Sequence, residues 1–349
     1  MTILALDLGK SKTVACTLDK LDGTGRFTTV ATTPTALTAL FEAEQPDRVV
    51  FEIGPQAGWV HDLVAAHGLD AQVANPNHEA WRWRHVKRKT DRLDALKLAR
   101  LSAMNQLPTV YMPSPRVRQW RNLIAYRKAL VEQASAIKTR IRSVLTRQGL
   151  SHPAGKAGWT LKALAELTAL ARPLADVSAD EVWRGVLATE LELLSSLQAA
   201  VASVEARLDA LGGSDPRVRL LRTVRGFGPR VSEALAAAID DPHRFRHGRQ
   251  VGSYFGLAPA QWQSGGSDRH GRITGQGNRL VRSLLVEVAW LGLRHNPWMR
   301  AIYQRVRRGS PSRSKIAIVA VARRLAVLAW AMLRDQSRWR PPAAACAAA

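Results

Sequence analysis

The stretch that decides the fold lies at the start of the chain and reads Thr2-Ile3-Leu4-Ala5-Leu6-Asp7-Leu8-Gly9-Lys10-Ser11. Its short apolar run predicts a buried strand, and Gly9 permits a tight turn into a returning strand over 12–19. Asp7 is therefore expected at the end of a central strand. Because an aspartate is rarely buried without a partner, we expect a bound cation there. The alternative is a solvated aspartate that caps the hairpin.

The first 110 residues predict an α/β unit. Arg48-Val49-Val50-Phe51-Glu52 is a second apolar strand that ends in a carboxylate, and a basic segment with interleaved tryptophans precedes a helix that starts at Asp91. The order of elements is that of a mixed sheet with helices on its faces. The other elements that the pattern predicts are strands over 26–32 and 70–74 and helices over 34–44 and 57–67.

Composition narrows the choice of partner. The chain has 349 residues and a formal net charge of +23, which favours nucleic acid over a membrane as the partner. No uninterrupted apolar stretch of about 18 residues exists, so we expect no membrane span. The N-terminus lacks the basic region of a signal peptide, and Cys16 and Cys346 are too few and too far apart in sequence for a disulfide framework. A reducing bacterial cytoplasm fits this pattern.

The remainder of the chain predicts mostly helix. We expect domains over 1–112 (α/β), 113–213 (helical, coiled-coil-like) and 214–335 (basic and mainly helical), followed by a tail over 336–349. Apolar residues near heptad spacing in 181–211 favour an antiparallel helical hairpin or a coiled coil between subunits. An ordinary helical-bundle core would give the same spacing.

Four carboxylates stand out by their order along the chain. Asp7 and Glu52 end apolar strands, and Asp91 and Asp94 are three residues apart on one helix face. Such a group would be repulsive without cations, and two Mg²⁺ ions about 4 Å apart would relieve the repulsion and could clamp a phosphodiester. The alternative for the last two residues is compensation of the dipole at a helix N-terminus.

Two further motifs lie in the basic C-terminal part. Gly226-Phe227-Gly228 between two helical patterns resembles a helix-hairpin-helix element, in which backbone N–H groups meet DNA phosphates; a tight turn between packed helices is the alternative. Ser264 precedes two glycines in a Gly-rich loop, and its hydroxyl could attack phosphorus and hold DNA covalently, although a plain loop serine would look the same. The cations that we expect to contact phosphate are Arg82, Arg84, Lys87, Arg88, Lys89, Arg269, Arg272 and Arg279.

The ordered set resembles one family, the insertion-sequence transposases of the IS110 type, which are related to the DNA invertase Piv. The N-terminal signature consists of Leu6-Asp7-Leu8-Gly9, Phe51-Glu52-Ile53-Gly54 and Lys89-Thr90-Asp91-Arg92-Leu93-Asp94. The C-terminal signature runs from Gly256-Leu257-Ala258-Pro259 through Gln263-Ser264-Gly265-Gly266 to Gly277-Asn278-Arg279-Leu280. The resemblance covers about residues 1–335.

The resemblance implies a RuvC-like, RNase H-type N-terminal domain, a helical link and a transposase domain with a serine nucleophile. It also implies that a structured non-coding bridge RNA pairs with donor and target DNA. Carried over position by position, Asp7, Glu52, Asp91 and Asp94 would bind metal and Ser264 would be the nucleophile. The chain departs from the family pattern around that serine, because Gln263 replaces a frequent first serine, Ser267 a frequent lysine and His270 a frequent apolar residue.

These residues and the resemblance together predict a DNA recombinase that acts as a dimer or tetramer on nucleoid DNA, and the resemblance implies that it is RNA-guided. Three other functions stay open. A metal-dependent junction-resolving nuclease would share the fold and need no covalent step. A non-catalytic nucleic-acid-binding protein would use the carboxylates as helix caps. A sugar-kinase-like ATPase would use the first hairpin as a phosphate loop, but no second phosphate loop follows.

Overall fold

The structure is a computed structural model that describes residues 1–19, 23–76, 90–264 and 266–340. The chain divides into two compact units, Met1–Arg118 and Gln119–Ala349. The boundary falls within the first turn of a long helix, three residues after that helix begins at Pro115. Each unit has its own hydrophobic core.

A five-stranded mixed sheet forms the centre of the first unit. Its strand order is β3-β2-β1-β4-β5, with β1 in the middle. β1 pairs antiparallel with β2 and parallel with β4, so the strand predicted from the opening stretch is the central one. Its strands are β1 (Thr2–Leu8), β2 (Lys12–Asp19), β3 (Gly25–Ala31), β4 (Arg48–Glu52) and β5 (Asp70–Ala74).

The turn after β1 requires a glycine. The Gly9 amide donates a hydrogen bond to the Lys12 carbonyl oxygen at 3.1 Å. A β-carbon at position 9 would overlap that same oxygen, so only the residue that lacks one fits this turn. The predicted hairpin is confirmed.

Helices cover both faces of the sheet. On β1, Leu4 and Leu6 pack in a core with Leu37 and Val60, whereas Ile3 and Ala5 pack on the opposite face. This division follows from the two-residue repeat of a strand and confirms the predicted mixed sheet with helices on its faces. The first two helices cover one face and the third covers the other: α1 (Pro34–Glu44), α2 (Ala57–Ala66) and α3 (Asp91–Ala103).

The second unit is mainly helical, as predicted. Its helices are α4 (Pro115–Arg147, which begins in the first unit), α5 (Leu161–Leu170), α6 (Val182–Ser214), α7 (Pro216–Leu221), α8 (Pro229–Ile239), α9 (Gly248–Tyr254), α10 (Arg279–His295), α11 (Pro297–Arg307) and α12 (Ser314–Asp335). The apolar pattern of residues 161–211 predicts one continuous helix, and this prediction is wrong in one respect, because the range contains two helices. Residues 171–181 interrupt it with two short 3₁₀ turns, because Pro173 cannot continue a helix.

Helices α4 and α6 pack as an antiparallel pair within one chain. The Arg127 Nε atom donates to Glu205 at 2.8 Å, and the Arg140 Nε atom donates to Glu190 at 2.8 Å. As the residue number rises along α4 it falls along α6, which is the antiparallel arrangement. Helix α5 closes a shared core with this pair.

Helix α12 lies in the core of the second unit. Residues 311–335 have the length and apolar composition of a membrane span, although the chain has no apolar run that predicted one. Ile318, Val321 and Leu325 pack with Leu235 and Phe255 in the largest core among the described residues. A core helix passes the same length and composition test as a span, and its packing here accounts for the apolar face of α12.

The segment around Ser264 differs from the expected loop. It forms a two-stranded antiparallel hairpin, β6 (Pro259–Ser264) and β7 (Ser267–Ile273). Ser264 is the last residue of β6 and pairs with Ser267 across the turn. The hairpin holds the serine on a strand end, a more rigid support than a loop.

Candidate active-site residues

Two of the predicted carboxylates are neighbours at the end of the first unit's sheet. In the parallel pair of β1 and β4, Leu6 lies beside Phe51. Asp7 and Glu52 are the next residues on these strands, and both are half-buried. The structure therefore brings Asp7 and Glu52 together, as the sequence predicted for adjacent strand ends.

Both carboxylates lie on the face that α3 covers. Ala5 and Val50 pack with residues of α3, and Asp7 and Glu52 each lie two residues further along the same strands. Residues two apart on a strand share a face of the sheet, so these side chains project toward the layer of α3. Each of the two carboxylates also makes a polar or electrostatic contact within the chain.

Helix α3 supplies the other two carboxylates. The Thr90 side chain accepts a hydrogen bond from the Leu93 amide at 3.3 Å and caps the helix. Asp94 is only 7% exposed, whereas Asp91 is exposed one turn earlier. Burial of a charged side chain in a first helical turn exceeds what dipole compensation needs, so Asp94 fits a role toward the sheet better than a capping role.

The direction of α3 places Asp91 and Asp94 toward the sheet edge where Asp7 and Glu52 lie. The Arg48 Nη1 atom, at the start of β4, donates to the Ser102 hydroxyl near the end of α3 at 3.4 Å. Because α3 ends beside the start of β4, its first turn lies toward the edge where β1 and β4 end. Asp91 and Asp94 are thus on the same face and toward the same edge as the strand carboxylates.

The four carboxylates do not converge at coordination distance. Among residues 1–19, 23–76, 90–264 and 266–340, no group of three or more His, Cys, Asp or Glu side chains is placed to hold a metal ion. The donor chemistry nevertheless fits a hard divalent cation, since all four candidate ligands are carboxylates. The nearby cysteine is not a competing ligand, because burial raises the pKa of the Cys16 thiol to about 11, partly offset by the Arg100 charge.

Five of the predicted phosphate-binding cations lie outside the described residues. They are Arg82, Arg84, Lys87, Arg88 and Lys89, within 77–89. Their role stays a prediction.

The predicted helix-hairpin-helix element is a turn between α7 and α8. Gly226 has a φ of +108°, a backbone conformation that favours glycine. Gly228 is the N-cap of α8, and Phe227 between them is buried in the core. Both interpretations stay open, because the buried Phe227 fits a packed turn, and the first turn of α8, which has no side-chain cap, fits a phosphate contact.

Ser264 shares a face of the β6–β7 hairpin with an arginine and a tryptophan. Trp262 pairs with Arg269, two residues from the pair of Ser264 and Ser267. Since paired residues and residues two apart share a face, these side chains project together, and all are exposed. The exposed Ser264 hydroxyl and the Arg269 cation are thus on one face of the hairpin, and a cation so placed can stabilise phosphoryl oxygens.

The indole ring of Trp262 packs against a glycine. Its ring is 64% exposed, and a β-carbon on Gly271 would lie 2.5 Å from the Trp262 Cζ3 atom. The indole therefore lies across Gly271. Trp262 is a candidate site residue that the sequence did not predict, although exposed aromatic side chains can stack on unpaired bases.

The C-terminal signature has a structural basis that the sequence alone did not reveal. A β-carbon on Gly256 would overlap the Gln276 carbonyl oxygen, and one on Gly277 would overlap the Tyr254 carbonyl oxygen. Both glycines have positive φ. The Gly-Leu-Ala-Pro and Gly-Asn-Arg-Leu segments thus meet backbone to backbone and fix the base of the hairpin against the start of α10.

The remaining two predicted phosphate-binding cations precede and follow Gly277 in the sequence. Arg272 is exposed on β7, and Arg279 is the first residue of α10. Arg279 lies near Glu132, whose pKa is lowered mainly by a hydrogen bond from Lys128 and to a smaller extent by Arg279. Ser264 and these cations belong to the second unit, and the four carboxylates belong to the first.

Comparison with known proteins identifies the class of protein to which the chain belongs. A model of DEDD transposases of the IS110 group, described as "Transposase", matches residues 4–149. A second model, described as "Transposase IS116/IS110/IS902 family", matches residues 218–304. The two matches fall on the parts of the chain that contain the four carboxylates and the Ser264 hairpin.

Curated relatives agree with the family models. The chain is 30% identical over 308 residues to "Putative transposase y4rJ" of Sinorhizobium fredii, covering 82% of this chain and 76% of the relative. It is 26% identical to "Transposase for insertion sequence element IS1111A" of Coxiella burnetii, over 78% and 74% of the two chains. It is also 29% identical to the "Pilin gene-inverting protein" of Moraxella bovis, over 34% and 37%.

The chain belongs to the IS110/IS116/IS902 family of transposases. It is an insertion-sequence transposase, and its first unit is the RuvC-like domain of the DEDD transposases. The family resemblance and the fold class expected from the sequence are confirmed.

Proposed function

We propose that this transposase is an RNA-guided DNA recombinase that cuts and rejoins donor and target DNA through a covalent bond to Ser264. The observation that carries the proposal is the β6–β7 hairpin, which presents the Ser264 hydroxyl on an exposed strand end with Arg269 on the same face. The formal net charge of +23 supports DNA and RNA as partners. Guidance by a structured non-coding RNA rests on family membership.

The covalent step transfers a phosphoryl group from DNA to the serine. The Ser264 oxygen attacks phosphorus, a phosphoserine ester bond forms, and the bond from phosphorus to one sugar oxygen breaks. The serine proton passes to solvent, and the leaving sugar oxygen gains a proton. Rejoining reverses the step when a sugar hydroxyl of the partner strand attacks the phosphoserine. Arg269 stabilises the negative charge that develops on the phosphoryl oxygens.

The carboxylates of the first unit would hold divalent metal. Asp7, Glu52, Asp91 and Asp94 lie on the side of the sheet that α3 covers and toward the same edge, and carboxylate oxygens are the ligands that Mg²⁺ prefers. When bound, a pair of Mg²⁺ ions supplies charge that stabilises the pentavalent phosphorus and the leaving oxygen. The rigid support of β1 and β4 keeps the positions of Asp7 and Glu52 fixed.

Recombination requires several strand cuts in one complex, so we propose a dimer or tetramer. Helices α5 and α6 leave several large apolar side chains exposed, which suits a contact between subunits: Leu161, Val182, Val186 and Leu193. We place this assembly on nucleoid DNA in the bacterial cytoplasm. Arg272, Arg279 and the segment Gly226–Gly228 are the proposed phosphate contacts of the second unit.

Trapping of covalent adducts tests the serine. Wild-type protein incubated with a nicked donor substrate, Mg²⁺ and the guide RNA should give a protein–DNA band that survives denaturing electrophoresis. Ser264→Ala should lose that band and still bind DNA and RNA, whereas Ser267→Ala, on the paired strand, should retain it. Normal recombination by Ser264→Ala would end the serine proposal.

A metal titration tests the carboxylates independently of turnover. Asp7→Asn should weaken Mn²⁺ binding measured by calorimetry at least tenfold, because it removes a ligand from a rigid strand end. Asp180→Asn, an exposed carboxylate in a 3₁₀ turn, is the matched control and should bind as wild type does. Equal binding by all three proteins would place the metal elsewhere.

The nearest alternative is a junction-resolving nuclease with no covalent step. It is favoured by one observation, that Asp7 and Glu52 are neighbours at the ends of paired strands in a unit that does not contain Ser264. Such an enzyme would cleave junctions with Mg²⁺ when Ser264 is replaced by alanine and would give no trapped adduct. A requirement for the non-coding RNA of the element in strand exchange separates guided recombination from both simpler activities.

A further inference from the structure

The second unit contains a large cavity next to the base of the β6–β7 hairpin. It has a volume of about 1050 Å³ and lies between α9, α11, α12 and the hairpin. Leu257, Ile302, Val319 and Val327 form an apolar floor. None of the residues assigned to chemistry above lies in it except Arg272, at its hairpin edge.

The rim of the cavity is strongly and uniformly positive. No acidic side chain lines the cavity, and among the described residues none of its cations forms an ion pair with a carboxylate. The surrounding sequence shows the same bias, since residues 288–334 contain ten Lys and Arg and no Asp or Glu. The six cations of the rim are Arg249, Arg272, Arg305, Lys315, Arg323 and Arg324.

The positive charge of the rim favours a negatively charged ligand. Six like charges around one cavity repel one another, and the repulsion is relieved when a polyanion binds. All of them except Arg323 are exposed, so their charges are available to a ligand. The arrangement is a binding surface for several phosphates rather than for one small anion.

The apolar floor distinguishes between forms of nucleic acid. A duplex presents phosphates and sugars on its outside and keeps its base faces stacked. Unpaired nucleotides expose base faces, which bind to apolar and aromatic surfaces while their phosphates contact flanking cations. A recessed aliphatic floor inside a cationic rim therefore fits unpaired nucleotides better than a duplex.

We propose that this cavity binds a segment of unpaired nucleic acid, with bases on the Val319 and Val327 floor and phosphates on the arginine and lysine rim. The site deepens the proposed function, since guide pairing and strand exchange both create unpaired strands, and it requires only the nucleic-acid-binding part of that function. Its position beside β7 would hold such a strand near the hairpin that presents Ser264.

Equilibrium binding tests the cavity. Full-length protein in EDTA is titrated against fluorescent 12-nucleotide single strands of DNA and of RNA, and against a blunt duplex, at 0.15 M salt. The variant Arg305→Ala/Lys315→Ala/Arg324→Ala should weaken single-strand binding at least tenfold and duplex binding less than threefold. Its salt dependence for single strands should fall by about two, because each phosphate contact contributes about 0.7 to the slope.

A charge-matched variant is the control. Arg147→Ala/Lys162→Ala/Arg207→Ala also removes two arginines and one lysine from exposed positions, on helices α4 to α6, and should change each affinity less than threefold. Comparison of the DNA and RNA arms shows which strand the cavity prefers. Equal losses for single strand and duplex, or equal losses in both variants, would overturn the proposal.

Cross-linking supplies an independent readout. A single strand that carries 4-thiouridine or 5-iodouracil should cross-link to residues within 249–257, 302–306 or 315–327 of the wild-type protein. Cross-links found only elsewhere would overturn the proposal, as would a cavity variant that changes the oligomeric state of the nucleic-acid-free protein. Since neither assay needs strand cleavage, a failure of the serine mechanism would leave both results interpretable.

Discussion

Glu233 is the buried group whose titration should most affect stability. It lies on α8 with 1% of its surface exposed. Gly212 on α6 makes room for it, because a β-carbon there would lie 2.7 Å from the Glu233 Oε1 atom. The Arg230 Nη1 atom lies 3.2 Å from Oε2, but the two are not aligned as a hydrogen bond. Burial therefore raises the pKa of Glu233 to about 7, with Arg230 opposing the effect.

The raised pKa of Glu233 determines the sign and size of its contribution to stability as the pH changes. The folded state holds the Glu233 proton up to a pH near 7, while the ordinary carboxyl loses it near 4.5. The stability contribution of the group is complete below pH 4.5 and is lost as the pH rises through 7. A difference of about 2.5 pKa units corresponds to about 3 kcal/mol. Glu233→Gln resembles the protonated form, so it should stabilise the second unit by up to that amount at pH 8 and hardly at all at pH 4.5.

Urea unfolding at pH 4.5, 6, 7 and 8 measures this difference. The gain of Glu233→Gln over wild type should grow with pH and level off above pH 7. Glu192→Gln removes an exposed carboxylate from α6 and should follow the wild-type pH dependence. Destabilisation by Glu233→Gln at pH 8 would refute the reasoning, because it would mean that the carboxylate is ionised and stabilised by Arg230.

Two predictions concern packing. Gly277→Ala should destabilise the second unit by about 2 kcal/mol or more, since a β-carbon would overlap the Tyr254 carbonyl oxygen at a φ of +88°. The control Gly213→Ala lies in an open helical position and should stabilise the unit slightly. Calorimetric melting measures both changes. Ile141→Ala should cost about 2–5 kcal/mol in urea unfolding, because Ile141 is fully buried between α4, α5 and α6. A cost near zero would mean that this helical core does not form in the free chain.

Local sequence signals accounted for the first unit well. Thr33-Pro34 gave the start of α1, since the Thr33 side chain caps the helix and proline fits its first turn. The apolar runs gave β1 and β4, and their parallel pairing then brought Asp7 and Glu52 together. The direction of α3 depends on tertiary contacts such as the one between Arg48 and Ser102, which no local pattern contains.

Fewer features of the second unit could be predicted from the sequence. The β6–β7 hairpin was missed because its strands are exposed and polar, so they lack the alternation of buried and exposed residues that predicts a strand. The break between α5 and α6 was missed because apolar residues continue across it, although Pro173 was a valid signal. The burial of Glu233 depends on Gly212, 21 residues earlier, and on helix packing that the sequence does not display.

The most direct test of the central claim is to find the residue that carries DNA in the trapped adduct. Wild-type adduct, digested with protease and nuclease, is analysed by tandem mass spectrometry. The account predicts a nucleotide remnant on the peptide that contains Ser264, with the modification on that serine. A remnant on Ser267 or any other residue, or strand exchange that proceeds with no adduct at all, would contradict it.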